Sequence, residues 1–422
     1  MPLKVIVVGA GLAGLGAAIA LNQQGHDVDV FEQSSFLNEV GAAIHIPPNA
    51  TRVLNEWGVD RNDLQGTFCY HLTVNDAEGN LLMKAADTKK LQATLQMQDD
   101  WLLSHRVDLH NALRRRVEKE VNGKKPSIHL ASKIRSVLTD RPEQDAEKGT
   151  IYLEDGTSFS ADLVVGADGM HSRTVEEIAQ KPQTKVSTGQ NTFRFLVSME
   201  KINANPVTRE FFKQHELNGL QCFTSRDRRL VLYPCRQGKL LNVVALHPTS
   251  ENPTAAESSW LAGGTLDDLV STYSAFCPAL LEMCKMAEDL KLWSLASRTP
   301  ATKFWRGKLV LVGDAAHPTL PHQGQGGAQS FEDGAALAAL LPGDTLKEQI
   351  PQRLELYNRA RYPRAITVMY MSQVNEERRQ EMMEELHQYV PDAEFPKDIF
   401  TYCWTSYASR DARKLLQTSL VA

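Results

Sequence analysis

Three stretches of this sequence combine glycine with acidic residues at spacings that chemistry can use. In the first, Gly9-x-Gly11-x-x-Gly14 follows the apolar run Lys4-Val5-Ile6-Val7-Val8, and Glu32 closes the next apolar run at 28–32. Gly9 permits a tight strand-to-helix turn, Gly11 lets backbone approach a pyrophosphate, and Gly14 lets helix and strand pack closely. A helix N-terminus favours phosphate charge, and Glu32 is placed to accept ribose hydroxyls. With its strand, helix, second strand and acid all present, the motif points to a dinucleotide site rather than a bare turn, without separating NAD from FAD. The second stretch is Asp162-Leu163-Val164-Val165-Gly166-Ala167-Asp168-Gly169-Met170-His171-Ser172-Arg173. The third is Leu311-Val312-Gly313-Asp314-Ala315-Ala316-His317-Pro318-x-x-Pro321-His322-Gln323-Gly324-Gln325-Gly326. Either alone could be a strand ending in an acidic turn; the ordered trio is not coincidental.

Other chemistries find little support. No HExxH or CxxC occurs, so no metal is indicated, and the six cysteines at 69, 222, 235, 277, 284 and 403 form no disulfide framework. Reduced thiols in a cytoplasmic protein are the reading. The uncharged segment after Lys4 imitates a signal peptide or membrane span. Its apolar part is short of the ~20 residues a span needs, glycines interrupt it, and Asn22-Gln23-Gln24 ends it without a cleavage site.

The elements that must position the motifs follow from the pattern. The chain has 422 residues, with 42% apolar and 23% charged, as in soluble globular domains. Lys plus Arg is 46 against Asp plus Glu 51, a net −5 that argues against a general nucleic-acid or membrane-surface binder. Residues 4–32 read as one βαβ unit. Short strand-like pieces fill 67–103, and a helix is predicted from Ser104 to about Val121. Residues 141–149 read as an exposed hairpin tip. Alternating segments at 192–199, 220–224, 229–234 and 240–246 predict an antiparallel sheet, helical pattern returns at 265–290, and an Ala-rich helix spans 327–341. The fold class is therefore α/β: a Rossmann-type domain interleaved with a substrate domain on an antiparallel sheet, plus C-terminal helices. The expected division is 1–180 (with a short substrate-domain insertion near 67–103) and 301–350 for the first domain, 181–300 for the second, and 351–422 for the helical tail.

From residue 3 to about 370 the chain resembles the single-component FAD-dependent aromatic hydroxylases, the class A flavoprotein monooxygenases, in their salicylate hydroxylase-like branch. The resemblance implies non-covalent FAD, with NAD(P)H and O2 as co-substrates and hydroxylation of a phenolic or aromatic-acid substrate through a flavin C4a-hydroperoxide. It implies that Glu32 holds the adenosine ribose, Arg106 contacts the FAD phosphates, and Val137 touches adenine by its backbone. Asp168 and Gly169 would serve FAD and the pyridine nucleotide, and Asp314 the pyrophosphate–ribitol region. Gly324, Gly326 and Gly327 would bring N–H groups to the flavin pyrimidine, where a helix N-terminus stabilises the reduced ring's negative charge. Residues 41–49 would line the isoalloxazine, with backbone contact from Ala43. Val175 stands where the family often has a second Arg, and His45 where this branch often has Gln.

Substrate-side candidates are Arg194, in a strand of the presumed sheet, to stabilise a phenolate or carboxylate; Tyr233 through its hydroxyl; His322 as a base of near-neutral pKa; and His45. Each also has a plain structural role open to it. Cys222 and Phe223 would line the pocket, and His317 would hold its turn. Expected partners are a small aromatic molecule, no nucleic acid and no membrane, in a monomer or homodimer. Related flavin epoxidases and oxidative-rearrangement enzymes of secondary metabolism remain alternatives, as does a non-catalytic binding protein on the same fold. A flavin halogenase lacks its Trp-x-Trp-x-Ile-Pro signature here.

Overall fold

A computed structural model describes residues 2–35, 43–121, 123–139, 148–249, 264–374 and 377–421. The apolar run at the start forms the strand Lys4–Val8. It lies between Asp27–Phe31 and Leu163–Gly166, and Leu309–Leu311 adds beyond the latter, all in parallel. Ser127–His129 extends the other side in parallel, and Trp305–Arg306 closes the first edge as an antiparallel hairpin. These strands are nearly continuous apolar runs because helices cover the sheet.

Two of the covering helices, Leu12–Gln23 and Gly326–Leu340, are buried almost all round, which is why both are rich in Ala and Gly. They meet at small residues: a Cβ on Gly334 would stand 3.2 Å from the Ala17 nitrogen, and one on Gly16 would meet Trp57 at 2.8 Å. Larger side chains there would force the helices apart.

A seven-stranded sheet forms the second layer. Its order is Glu288–Arg298, Lys185–Ser198, Leu240–Pro248, Arg228–Cys235, Leu220–Ser225, His71–Asp76 and Leu81–Asp87. Every pairing is antiparallel except that between 220–225 and 71–76. Alternation decides its two faces. Phe193, Phe195, Phe223, Leu230, Leu232, Val243 and Ala245 point to one side and pack with residues of helices Leu266–Thr272 and Pro278–Lys285 in one buried cluster. Arg194, Cys222, Val231, Tyr233, Val244 and Leu246 therefore occupy the opposite face.

Some expectations need correction. The helix predicted from Ser104 starts at Arg106, because Leu102–His105 is a strand pairing with Ala43–Ile46. The helical pattern at 265–290 resolves into two helices, and from Glu288 the chain is an edge strand of the large sheet. Phe223 packs into the helix-side core, so it cannot line a pocket with Cys222. The proposed hairpin tip lies mostly outside the described residues, as do Gly41 and Ala42. The tail packs on the rest of the fold: the helix Ala408–Val421 lies against Gly326–Leu340, and Arg52 bonds the Trp404 and Ser406 carbonyls. No helix among the described residues is long and apolar enough to cross a membrane.

Candidate active site

The three Gly/acid stretches meet at the C-terminal ends of the parallel strands, where open α/β sheets bind ligands. Gly9 has φ +99°, and a Cβ there would stand 2.6 Å from the Ala167 oxygen, so only glycine lets the first turn pass the second. A Cβ on Gly14 would collide with the Gly9 oxygen at 1.9 Å, and one on Gly313 would meet Ala13 at 2.6 Å. At Gly11, the helix N-cap, nothing lies within 4 Å of where a Cβ would be, and no side chain caps the helix. Backbone at Gly11 is thus open to close approach, and the first N–H groups of the helix have no side-chain acceptor at the cap, the donor set a pyrophosphate needs. Glu32 sits beside them, its carboxylate accepting from the Ala10 and Ser34 amides at 2.8 and 2.9 Å.

Asp314 has an exposed surface, yet the surrounding protein raises its carboxyl pKa, with His317, Arg106 and Arg298 opposing. Both facts describe a group on the wall of a deep cleft, accessible to small molecules but poorly hydrated. Arg106, the first residue of its helix, lies close enough to act on both Asp314 and Arg194. The helix starting at Gly326 also has no side-chain cap, and a Cβ on Gly327 would meet Ile44 at 3.1 Å. These residues fit the expected cofactor: two uncapped helix N-termini, the carboxylates of Glu32 and Asp314, and the Arg106 cation near Asp314.

Other predicted positions sit differently. The Asp168 carboxylate accepts from the Arg173 and Thr174 amides and the Thr174 hydroxyl at 2.7, 3.0 and 2.6 Å. It holds the start of the helix Thr174–Ala179, so its side chain is occupied within the fold; Gly169, with φ +75°, turns beside it. The Ala43 N–H is already bonded to Asn242 Oδ1 at 3.0 Å, which removes it as a flavin donor. Val137 is buried in the strand Ile134–Leu138, paired with Ile151, on a separate three-stranded sheet.

On the large sheet's site-facing side, the Arg194 guanidinium stacks over Trp293 at 4.8 Å and its Nε has no hydrogen-bond partner among the described residues. Burial lowers its pKa, as expected for a cation with no carboxylate beside it. The Tyr233 ring meets His45 edge-on at 4.7 Å, and His45 packs on Gly324 so closely that a Cβ there would stand 2.4 Å from Nδ1. Gly324 has φ +61°, a second reason for glycine. Burial, then the Arg194 charge, holds His45 down to about 4. Burial and Arg229 likewise push His322 down to about 4, so the near-neutral base expected at His322 is not what the fold builds. Burial raises the Tyr233 hydroxyl, which stays protonated.

Sequence reasoning missed the groups that hold these parts. Arg298, at the end of an edge strand, donates to the Met170, Asp314 and Ala315 carbonyls at 3.4, 3.2 and 2.5 Å, tying the second and third motifs to the sheet. Beneath the glycine loop lies a buried ion network. Asp333 accepts from the Gly313 amide and pairs with His317 and Arg361 at 2.8, 2.6 and 2.8 Å. Glu332 pairs with Arg361 and Arg364 at 2.6 and 2.8 Å and accepts from Asn49 at 2.7 Å. His317 thus holds its turn, as expected. No short motif announces this network, because its members come from four separate elements.

A family model for an FAD binding domain matches residues 2–372. Hispidin-3-hydroxylase of Neonothopanus nambi is 34% identical over 86% of this chain and 86% of that protein. An FAD-dependent monooxygenase of Aspergillus candidus is 32% identical over 93% and 90%. Among solved structures, a salicylate hydroxylase substrate complex superposes with TM-score 0.75 at 21% identity, covering 98% of both chains, which shows a shared fold. The matched family, the relatives' chemistry and the cleft's donor set converge: this chain belongs to the FAD-binding-domain family and is an FAD-dependent monooxygenase.

Proposed function

We propose that this enzyme uses NAD(P)H and O2 to hydroxylate a phenolic or aromatic-acid substrate lying between the glycine loop and the large sheet. Bound FAD, once reduced, supplies the activation of O2 and the transfer of one oxygen atom. The chain's own residues bind and orient. Glu32 and the Gly9–Gly14 turn take the adenosine diphosphate end, Arg106 and Asp314 the pyrophosphate–ribitol, and the N-terminus at Gly324, Gly326 and Gly327 the pyrimidine edge. Asp168 and Gly169 act through loop shape rather than through the carboxylate. The division into an FAD domain (1–180 and 301–350), a sheet domain (181–300) and a tail (351–422) is part of the same reading.

The observation that carries the substrate class is Arg194. A guanidinium stacked on Trp293 without a counter-anion among the described residues is an incomplete ion pair, and a phenolate or carboxylate completes it. A phenol held there loses its proton more readily, which makes its ring more electron-rich toward oxygen. His45, neutral above pH about 4 and near enough to feel the Arg194 charge, accepts a hydrogen bond from that hydroxyl without adding charge, while His322, neutral likewise, lies beside Arg229. Tyr233, protonated, donates.

Purified protein reconstituted with FAD should be yellow, and a panel of phenols, aromatic acids and alkaloids should include members that accelerate NAD(P)H oxidation and gain one oxygen by mass. A protein that takes up no FAD, or an oxidation no aromatic compound stimulates, would overturn the reading. An epoxide or rearranged skeleton as the main product would move the enzyme to the related secondary-metabolism class.

A further inference from the structure

The C-terminal tail reaches the site through a chain of rings. Alternation along the paired strands Ala43–Ile46 and Leu102–His105 puts Ala43, His45 and Leu103 on one face, and Trp101, one residue before its strand, joins Ala43 and Leu103 in one buried cluster. There the His45 ring meets Trp101 edge-on, with centroids 6.1 Å apart. Trp101 in turn meets Trp404 edge-on at 5.3 Å and Phe400 at 6.1 Å. Trp404 is buried at the end of the tail helix Ile399–Trp404. Packing alone sets these rings. The Trp101 indole N–H is buried without a hydrogen-bond partner among the described residues, and none of them bonds the His45 ring. His45 is therefore fixed by what it touches: Tyr233 at 4.7 Å, Gly324, and Trp101 backed by the tail.

Two arginines hold that tail helix in place. Arg364 donates to the Tyr402 and Cys403 carbonyls at 2.9 and 3.3 Å, and Arg52 to the Trp404 carbonyl at 3.1 Å and to that of Ser406. A helix C-terminus leaves such carbonyls open and favours positive charge beside them. Each arginine also pairs with an acid elsewhere, Arg52 with Asp99 at 2.7 Å and Arg364 with Glu332 at 2.8 Å. Arg52 sits on the helix Pro48–Glu56, which follows the His45 strand, and Glu332 on the helix that starts at Gly326. The tail is thereby clamped to the two elements that adjoin His45 and the glycine loop.

We propose that Trp404 is a positioning residue: through Trp101 it sets the direction in which His45 faces the substrate hydroxyl. The tail helix is then a wall of the active site. The inference rests on the reading of His45 given above, and it adds the tail to the groups that select a phenol over its ether.

The test titrates FAD-loaded enzyme with 4-hydroxycinnamate and 4-methoxycinnamate against the flavin absorbance spectrum. Both probes carry the same carboxylate, and only the first offers a hydroxyl. Wild type should bind the phenol about tenfold more tightly, as one added hydrogen bond allows. Trp404→Leu should bring that ratio down to the value shown by His45→Ala, with the ether's affinity unchanged, and Trp404→Phe should keep most of the preference. In the His45→Ala background, Trp404→Leu should lower the ratio no further. Cys403→Ala, in the same helix and buried cluster but carrying no ring, is the structural control: it should lower the melting temperature and leave the ratio alone. Should Trp404→Leu not fold, the half-buried Phe400, which touches both tryptophans, takes its place, and Phe400→Leu should lower the ratio about threefold. A wild-type ratio in Trp404→Leu and Phe400→Leu, an equal fall in Cys403→Ala, or a further fall in the His45→Ala background would overturn the proposal. If wild type still prefers the phenol in that case, only the tail's role falls. If wild type binds both probes equally, the reading of His45 falls with it, and if no aromatic ligand perturbs the flavin, so does the proposed function.

Discussion

The charges beneath the glycine loop and those on the sheet above it were treated oppositely by the fold. Below, Glu332 and Asp333 meet the buried Arg361 and the partly buried Arg364 in a set where each carboxylate has a guanidinium, and the arginines, against the cost of burial, hold Glu332 down to about 2. Above, Arg194 meets no carboxylate among the described residues, and His45 is kept neutral beside it. Buried charge normally demands a partner. A site that leaves one unpaired is destabilised until a ligand supplies the counter-charge. Pairing marks the scaffold, and its absence marks where a substrate completes the structure.

That contrast can be broken most severely from below. Arg361→Ala leaves Asp333 and Glu332 short of a buried partner and should cost about 3–5 kcal/mol, measured by urea unfolding, with weaker FAD retention as the Gly313 turn loosens. Next in size, Arg194→Ala should lower substrate-stimulated hydroxylation at least a hundredfold, about 2.7 kcal/mol. Its unfolding midpoint should hold steady or rise, because the lost buried cation had no carboxylate among the described residues and only the Trp293 ring beneath it. Equal destabilisation by the two variants would erase the distinction.

The pH dependence sharpens it. His45 and His322 lie at about 4 in the folded chain against an ordinary 6.5. Between those values the unfolded chain binds protons the folded chain refuses, so stability falls as pH drops from 6.5 toward 4 and is whole above 6.5. Glu332 lies at about 2 against 4.5, so its contribution is whole above 4.5 and is lost as pH falls toward 2. Melting curves across pH should show the histidine loss first, and His45→Gln with His322→Gln should shrink it without touching the lower window; burial also lowers His26, His71, His105, His171 and His215, which keep the remainder. Smallest, Asp168→Ala removes the acceptor at the start of the helix Thr174–Ala179 and should cost about 1 kcal/mol. FAD affinity should change little, since that carboxylate faces the fold.

The parts legible in sequence are those that depend on backbone. Gly9 was read as the glycine of a tight turn, and its φ and contacts require one; alternation on the strands was enough to announce the antiparallel sheet, though not which face meets the site. What escaped depends on register between distant segments. Nothing near Trp293 in the chain reveals that its ring lies under the Arg194 guanidinium. Arg361 and Asp333 find each other only after two helices pack. His322 carries no local sign of the burial that lowers its pKa, and Phe223 was placed in the pocket only because its neighbour Cys222 was.

The parallel sheet also sets a schedule. Its neighbours Lys4–Val8, Leu163–Gly166 and Leu309–Leu311 come from both ends of a long stretch of chain. During synthesis at about 5–20 residues per second, the strand at 163–166 is complete roughly 7–30 s before its partner at 309–311 exists. For that interval a fully apolar strand edge is open to wrong pairing. The large sheet, whose strands 185–198 and 220–248 are made within the same window, can fold as the nascent chain waits. A cell or expression host that shortens or shields that wait, through chaperones or lower temperature, acts on this step of the enzyme's production.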